Sequence, residues 1–144
     1  MTDDPLAFMK DHIRRYRASN GADGYDFNGV KVLLLDTVGA RSGEPRTAAL
    51  LYARHGEAFA VVASRGGSPT PPAWFRNLQA QPEASIQVKD VRMAVRARVA
   101  SPAEQQLLWP QLVAIFPNFE QYQVRAGRTL TIVLLEPAGA AAPA

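Results

Sequence analysis

Short apolar segments separated by turn-forming residues are the feature that most constrains the fold of this sequence. Six segments of five to nine residues are rich in Val, Leu, Ile and Ala, with Gly or Pro between several of them. This length and composition are typical of β-strands, and tight connections such as His55-Gly56-Glu57 favour antiparallel neighbours. The sequence therefore predicts a mainly β protein with a small antiparallel barrel of about six strands. The predicted strands are residues 30–38, 46–54, 58–64, 85–89, 91–99 and 129–136.

Helical patterns precede and interrupt these strands. After Asp4-Pro5, apolar residues recur every three or four positions, which predicts an amphipathic helix of about three turns. A second, short helix is predicted over residues 73–80. The segment from Ser101 to Glu104 has the form of a capping box, so a third helix begins there. Within that helix, we expect Pro110 to introduce a kink or a break.

The length of 144 residues fits a single domain. Hydrophobic residues make up 47% and charged residues 20%, which is ordinary for a globular chain with a packed core. We divide the chain into an N-terminal helix and linker at 1–29, the barrel at 30–137, and a disordered tail at 138–144.

Few side chains in this sequence can carry acid–base or metal chemistry. Cysteine is absent, which excludes disulfides, thiolate zinc sites, iron–sulfur clusters and a cysteine nucleophile, and we predict no metal site. His12 and His55 are the only imidazoles. The chain is therefore either a binding module or an enzyme whose reactivity comes from an organic cofactor.

The positive charge is concentrated in one part of the chain. The formal net charge is +3, and residues 36–76 contain five arginines, no lysine and three acidic residues. The guanidinium group suits bidentate contacts with phosphate or carboxylate. We therefore expect a local site for an anionic small molecule.

Nothing in the sequence indicates export or a membrane span. The longest apolar segments are too short to cross a bilayer, and the acidic N-terminus lacks the features of a signal peptide. A cytoplasmic location is therefore expected. The first helix has a basic face that also suits an anionic membrane surface, although packing on the barrel is the favoured interpretation.

Two loops combine glycine, serine and arginine between predicted strands. The first runs from Gly39 to Arg46 and the second follows Ser64. Glycines allow close backbone approach, N–H and hydroxyl groups donate hydrogen bonds, and arginines neutralise an anion. The alternative for each loop is an ordinary connection with solvated arginines. The occurrence of two such loops in one small barrel favours a shared anion site.

The order of five motifs resembles the deazaflavin-dependent nitroreductase family. They are GARSGEPRT at 39–47, VASRGG at 62–67, PAWFRNL at 72–78, FPNFEQYQ at 116–123 and VLLEP at 133–137. The similarity spans about residues 30–137. It implies a split β-barrel of the flavin-reductase type that binds the deazaflavin coenzyme F420.

The same resemblance implies which residues form the site. Leu50 and Leu51 are expected to face the deazaflavin ring, and the arginines to bind the polyanionic tail of the coenzyme. Ser64 and Tyr122 are candidate catalytic groups, with water as another proton source. The complete cofactor-binding set is Arg41, Ser42, Gly43, Arg46, Thr47, Leu50, Leu51, Val62, Ala63, Ser64, Arg65, Gly66, Ala73, Trp74, Phe75, Arg76 and Asn77.

The acceptor pocket is expected to be lined by Phe116, Phe119 and Tyr122. Nitroimidazole-reducing members of the family have tyrosines at these positions, and two of the three are phenylalanine here. The loss of those hydroxyls favours a quinone or another flat conjugated acceptor, with nitroaromatics as secondary substrates. Core packing beneath a loop is the alternative role for these rings. Ala40 also replaces a residue that is often basic in the family, so tail binding is expected to rely on Arg41.

We therefore predict a reductase that transfers a hydride from reduced F420 to a hydrophobic conjugated acceptor. One alternative is a related barrel that uses FMN. Another is a non-catalytic module that binds deazaflavin, haem or a lipid. A nucleic-acid-binding barrel is disfavoured, because exposed aromatic and basic residues do not alternate. The predicted partner is a small molecule, and the protein is expected to be a monomer or a homodimer.

Overall fold

The computed structural model describes residues 5–27, 29–64 and 70–138, and the side chains from Met9 onward within those ranges. These ranges contain four helices and eight strands. The helices are α1 (Pro5–Ala18), α2 (Ala73–Ala80), α3 (Pro102–Ile115) and α4 (Asn118–Ala126). The strands are β1 (Asp26–Phe27), β2 (Val30–Val38), β3 (Pro45–Leu51), β4 (Ala53–His55), β5 (Ala58–Val62), β6 (Glu83–Val88), β7 (Val91–Val99) and β8 (Ile132–Pro137).

All strand pairs are antiparallel, as predicted. The order across the sheet is β1-β2-β6-β7-β8-β5-β4, and β3 pairs with β2 outside this path. The predicted bounds of β2, β7 and α2 are confirmed to the residue. Their ends lie at strong sequence signals, such as Gly39 after β2 and the Gln81-Pro82 step after α2.

The predicted number of six strands is wrong, because the second predicted strand is divided at Tyr52. Before Tyr52 the chain pairs with β2, and after it β4 pairs with β5. The chain therefore bends there and passes from one part of the sheet to another. The Tyr52 hydroxyl lies 3.0 Å from that of Tyr25, and burial raises the pKa of the Tyr52 phenol. The short β1, which pairs with the start of β2, was not predicted.

Buried side chains form clusters on both faces of the sheet. Inside the sheet, Leu33 and Leu35 pack with Phe59 and Trp74. On the opposite face of β2, Val32 and Leu34 pack against α1 through the fully buried Tyr16. This division follows from the alternation of side chains along a strand.

The basic residues of α1 pair with carboxylates. Arg14 and Arg15 contact Asp11 at 2.5 and 2.9 Å, and Arg17 contacts Asp36 on β2 at 2.5 Å. The Arg17 pair links the helix to the sheet, which fits the predicted packing of α1 on the barrel. Within the described residues, no helix is long and apolar enough to cross a membrane.

The third helix begins with the predicted capping box. The Ser101 side chain accepts from the Glu104 N–H at 3.2 Å, and the Glu104 carboxylate accepts from the Ser101 N–H at 2.9 Å. Of the kink or break expected at Pro110, the break does not occur, since α3 continues through this residue to Ile115. The following α4 was not predicted and ends at Gly127, whose φ of 66° is left-handed.

On β7, the face predicted to be exposed is exposed, but the face predicted to be buried is buried only in part. Arg92, Arg96 and Arg98 are exposed, and Val95 is buried. Val91 and Val99 at the strand ends are 50% and 54% exposed, because the core covers only the middle of the strand. Residues 139–144 of the predicted disordered tail lie outside the described residues.

Candidate active site

A cavity of about 620 Å³ lies beside β3, the strand that pairs with β2 alone. This volume is typical of sites for small ligands and cofactors. The walls are mostly apolar and come from β3, the end of β5, and parts of every helix. The lining residues are Met9, Phe27, Val30, Ala48, Ala49, Leu50, Leu51, Val62, Ser64, Pro72, Trp74, Ile115, Phe116, Phe119 and Tyr122.

One wall is formed by four consecutive residues of β3, Ala48 to Leu51. Successive side chains of a strand point to opposite faces, so a cavity that contacts four in a row lies at the edge of that strand. The bend at Tyr52 leaves this edge of β3 without a neighbouring strand. The candidate binding cavity therefore lies at this edge, where the barrel is open.

The opposite wall is a group of three aromatic rings, Phe116, Phe119 and Tyr122. Their centroids lie 5.0 Å (Phe116–Phe119), 5.8 Å (Phe116–Tyr122) and 6.3 Å (Phe119–Tyr122) apart, in edge-on and tilted arrangements. Phe116 follows the end of α3, and the other two lie three residues apart on α4, which places them on one face of that helix. The group packs on the core and also lines the cavity, so core packing is compatible with the role in an acceptor pocket, which stays a prediction.

Ser64 and Tyr122 are the two lining residues of this cavity that carry a hydroxyl group. Ser64 follows β5, and its N–H donates to the Val62 carbonyl at 3.0 Å. Arg128 donates to the neighbouring Ala63 carbonyl at 3.3 Å. These bonds hold the end of β5 in place, so the Ser64 side chain is presented from a fixed backbone.

The loop between β2 and β3 has a compact hydrogen-bonded form. The Gly39 N–H donates to the Glu44 carbonyl at 2.8 Å, and the Gly43 N–H donates to the Gly39 carbonyl at 2.9 Å. A Cβ atom on Gly39 would lie 2.6 Å from Ser42 Oγ, so a larger residue there would displace the Ser42 side chain. Gly43 has a φ of +70°, which also favours glycine.

Asn77 on α2 holds this loop against the helix. Its Oδ1 accepts from the Ala40 N–H at 2.9 Å, and its Nδ2 donates to Thr37 Oγ1 at 3.0 Å. Asn77 is buried, and both ends of its amide are bonded to the protein. Its structural role is therefore to position the loop that carries Arg41.

The two loop arginines remain exposed at one end of β3. Arg46 contacts Glu44 at 3.4 Å and Ser42 Oγ at 3.4 Å. It lies two residues before Ala48, a distance of about 7 Å along a strand. The arginines therefore lie beyond one end of the cavity, outside its apolar walls.

The structure brings together part of the predicted site. Eight predicted residues line the cavity: Leu50, Leu51, Val62, Ser64, Trp74, Phe116, Phe119 and Tyr122. Predicted residues away from its lining are Arg41, Ser42, Gly43, Arg46, Thr47, Ala63, Ala73, Phe75, Arg76 and Asn77. Thr47 donates to Asp36 at 2.5 Å, beside the Arg17 pair. Arg65 and Gly66 lie outside the described residues.

Several lining residues were not predicted. Met9 and Phe27 come from α1 and β1, and Ile115 comes from the end of α3. Ala48 and Ala49 also contribute, and two small residues side by side in a strand are a signal that could have indicated space there. For Met9 and Phe27, no local pattern indicates that they reach β3.

Comparison with known proteins identifies the family. A family model described as F420H(2)-dependent quinone reductase matches residues 8–137. The chain belongs to this family. An F420H(2)-dependent quinone reductase of Mycobacterium tuberculosis is 38% identical over 134 residues, which cover 90% of each chain. The predicted oxidoreductase class, the F420 cofactor and the quinone acceptor are thereby confirmed for the family.

Solved structures confirm the predicted fold class. A structure described as an F420-H2 dependent reductase is 31% identical, with a TM-score of 0.67, and the match covers 73% of this chain and 93% of that one. Another, described as a domain-swapped dimer, is 27% identical with a TM-score of 0.70, covering 92% and 100%. The antiparallel half-barrel with surrounding helices is therefore the architecture of F420-dependent reductases.

In this member of the family, the residues in and beside the cavity fit the cofactor F420. The cavity has a long apolar wall on β3 for a flat ring system, and exposed guanidinium groups lie beyond one end for an anionic tail. Among residues 5–27, 29–64 and 70–138, no group of three acidic or histidine side chains could hold a metal ion.

Proposed function

We propose that this protein reduces quinones with reduced F420 in the cavity beside β3. The observation that carries the proposal is the convergence of the exposed edge of β3, the aromatic group and two hydroxyls on one cavity of about 620 Å³. When bound, reduced F420 supplies a hydride, and the quinone also takes up a proton to become the hydroquinone.

The apolar walls bind and orient the reactants. Leu50 and Leu51 offer a surface for the cofactor ring, and Arg41 and Arg46 neutralise its anionic tail. Trp74 is only 8% exposed and closes one side. The enclosure excludes water and holds the two reactants close together, which is the main contribution that the protein makes to hydride transfer.

We assign the delivery of the proton to a hydroxyl of the cavity. Tyr122 and Ser64 line the same space, so a quinone oxygen bound there can accept a hydrogen bond from either. Phe116 and Phe119 provide flat contact surfaces with no donor. This pocket therefore suits quinones better than nitroimidazoles, and nitroaromatics are proposed as secondary acceptors.

The proposal is tested by mixing the purified protein with reduced F420 and a soluble benzoquinone and recording cofactor oxidation. We expect one hydroquinone for each cofactor oxidised, and no acceleration by the protein of the direct reaction between reduced FMN and the quinone. Tyr122→Phe and Ser64→Ala are compared with Ser85→Ala, at an exposed serine on β6 outside the lining. Loss of about 100-fold in kcat in one hydroxyl variant identifies the proton donor. Failure of the wild-type protein to oxidise reduced F420 with any quinone contradicts the proposed function.

We further propose that the protein is a homodimer. Support comes from the structural neighbour described as a domain-swapped dimer, in which the match covers 92% of this chain and 100% of the neighbour. Light scattering should give twice the chain mass of 15.7 kDa. A mass of one chain across micromolar concentrations contradicts this assignment.

A further inference from the structure

A second compartment lies next to the cavity, between α1 and the sheet. Its volume is about 150 Å³. The lining residues are Met9, His12, Phe27, Val32, Ala49 and Leu51. Of these, Met9, Phe27, Ala49 and Leu51 also line the larger cavity. The two spaces therefore share their walls.

The strand alternation explains this arrangement. Ala49 and Leu51 lie on the face of β3 that packs with the α1 cluster, and Leu51 is the register partner of Val32 on β2. The larger cavity extends around the edge of β3 from the barrel interior to this outer face. The compartment continues it beside α1, where Met9 and His12 line the wall.

The chemistry of the compartment is that of a hydrocarbon site. Its single titratable residue is His12, which is buried, and His12 Nε2–H donates to the Gly24 carbonyl at 2.9 Å. The imidazole packs against Phe27 with centroids 5.7 Å apart. Gly24 permits this bond, since a Cβ atom there would lie 3.1 Å from His12 Nε2. The other lining side chains are aliphatic, thioether or aromatic.

We propose that this compartment binds the apolar side chain of the quinone while the ring lies in the larger cavity. The inference rests on the proposed function and assigns a position to the alkyl or prenyl substituent of the quinone. A methylene group fills about as much space as a water molecule, roughly 30 Å³, so the compartment accommodates about five chain carbons. Binding at the ring end alone would leave these apolar walls in contact with water.

The test measures affinity as a function of chain length. Benzoquinones with unbranched alkyl chains of one to eight carbons are titrated into the protein without cofactor, and Trp74 fluorescence reports binding. We expect Kd to fall about two- to fourfold per carbon up to about five carbons and then to level off. The same series is then used as substrates with reduced F420, where KM should follow Kd while kcat changes little.

Two substitutions at Val32 change the compartment in opposite directions. Val32 lines the compartment and not the larger cavity. Val32→Leu should shorten the chain length at which Kd levels off by about one carbon, and Val32→Ala should lengthen it by one or two. The control pair is Val91→Leu and Val91→Ala, at a valine that is 50% exposed on β7. The methyl-substituted quinone should behave alike in all four variants.

The outcomes separate this inference from the proposed function. If short quinones are reduced but Kd does not depend on chain length, the compartment assignment is wrong and the function stands. A chain-length dependence that is the same in both Val32 variants also overturns the assignment, since it then reflects general hydrophobic partitioning. If the Val32 variants shift the dependence as expected but no quinone oxidises reduced F420, the compartment binds apolar chains and the proposed function fails.

Discussion

Individual side chains make one end of the candidate site positively charged and the other end apolar. Arg41 is exposed on the loop before β3 and Arg46 at the start of that strand, whereas Leu50 and Leu51 lie further along β3 in the cavity wall. Charge and apolar surface are therefore separated along one strand. A ligand with a flat ring and an anionic tail matches this distribution.

Removal of the loop arginines should weaken cofactor binding and leave the fold intact. Each of Arg41→Ala and Arg46→Ala is expected to raise the Kd for F420 about tenfold, because a charge-assisted hydrogen bond contributes about 1.5–3 kcal/mol. Titration followed by tryptophan fluorescence measures this. Arg92→Ala, at an exposed arginine on β7, is the control. Wild-type affinity in both single variants and in the double variant would show that the tail binds elsewhere.

At the scale of elements, α2 acts on the site through its contact with the β2–β3 loop. The Asn77 side chain accepts a hydrogen bond from the Ala40 N–H and donates one to Thr37 Oγ1. Asn77→Ala should destabilise the protein by about 1–3 kcal/mol, because a buried N–H loses its acceptor. Chemical denaturation measures this loss. Asn77→Asp keeps an acceptor for Ala40 and should retain more of the stability than alanine does. Equal losses in the two variants would contradict the bond to Ala40.

The start of α3 provides a pH-dependent contribution to stability. Hydrogen bonds from the Arg98 guanidinium, and then from the Ser101 N–H, hold the pKa of Glu104 well below its usual 4.5. His55 lies 3.3 Å from the same carboxylate. A carboxyl with a lowered folded-state pKa stabilises the protein above its usual pKa, and this stabilisation is lost as the pH falls toward the folded value.

Glu104→Gln keeps the capping-box geometry and removes the charge. Its thermal midpoint should be a few degrees below that of the wild type at pH 7, and the difference should shrink as the pH is lowered below 4.5. Midpoints measured at several pH values provide the comparison. Glu57→Gln, in the exposed β4–β5 turn, should show no such trend. A difference that is constant with pH would exclude the charge as the cause.

At the scale of the whole molecule, the cavity is where distant parts of the chain meet. Residues of α1, β3, β5 and α4 all line it, and each packs on a different part of the core. A ligand that fills this space contacts all of these elements at once. Binding should therefore be coupled to global stability.

Reduced F420 at 100 times its Kd should stabilise the protein by about 2.7 kcal/mol, which corresponds to an increase of several degrees in the thermal midpoint. Differential scanning fluorimetry or calorimetry measures it. FMN at the same concentration should give a smaller shift, and the ratio of the two shifts tests the choice of cofactor. A larger shift with FMN would reverse that choice.

The sequence alone determined the features that depend on neighbouring residues. An apolar run ending at Gly39 defined β2, period-two alternation defined β7, and the serine, proline and glutamate at 101–104 defined the start of α3. The ordered motifs also identified the family and half of the cavity wall, because they lie in the segments that form it.

Only the tertiary structure decided which segments meet. The break at Tyr52, the exposed edge of β3 and the reach of Met9 and Phe27 to that edge depend on strand pairings between residues far apart in the chain. No local pattern encodes such pairings, because periodicity indicates which face of an element is buried and not what covers it. The continuity of the cavity with the compartment under α1 is a property of that assembled surface.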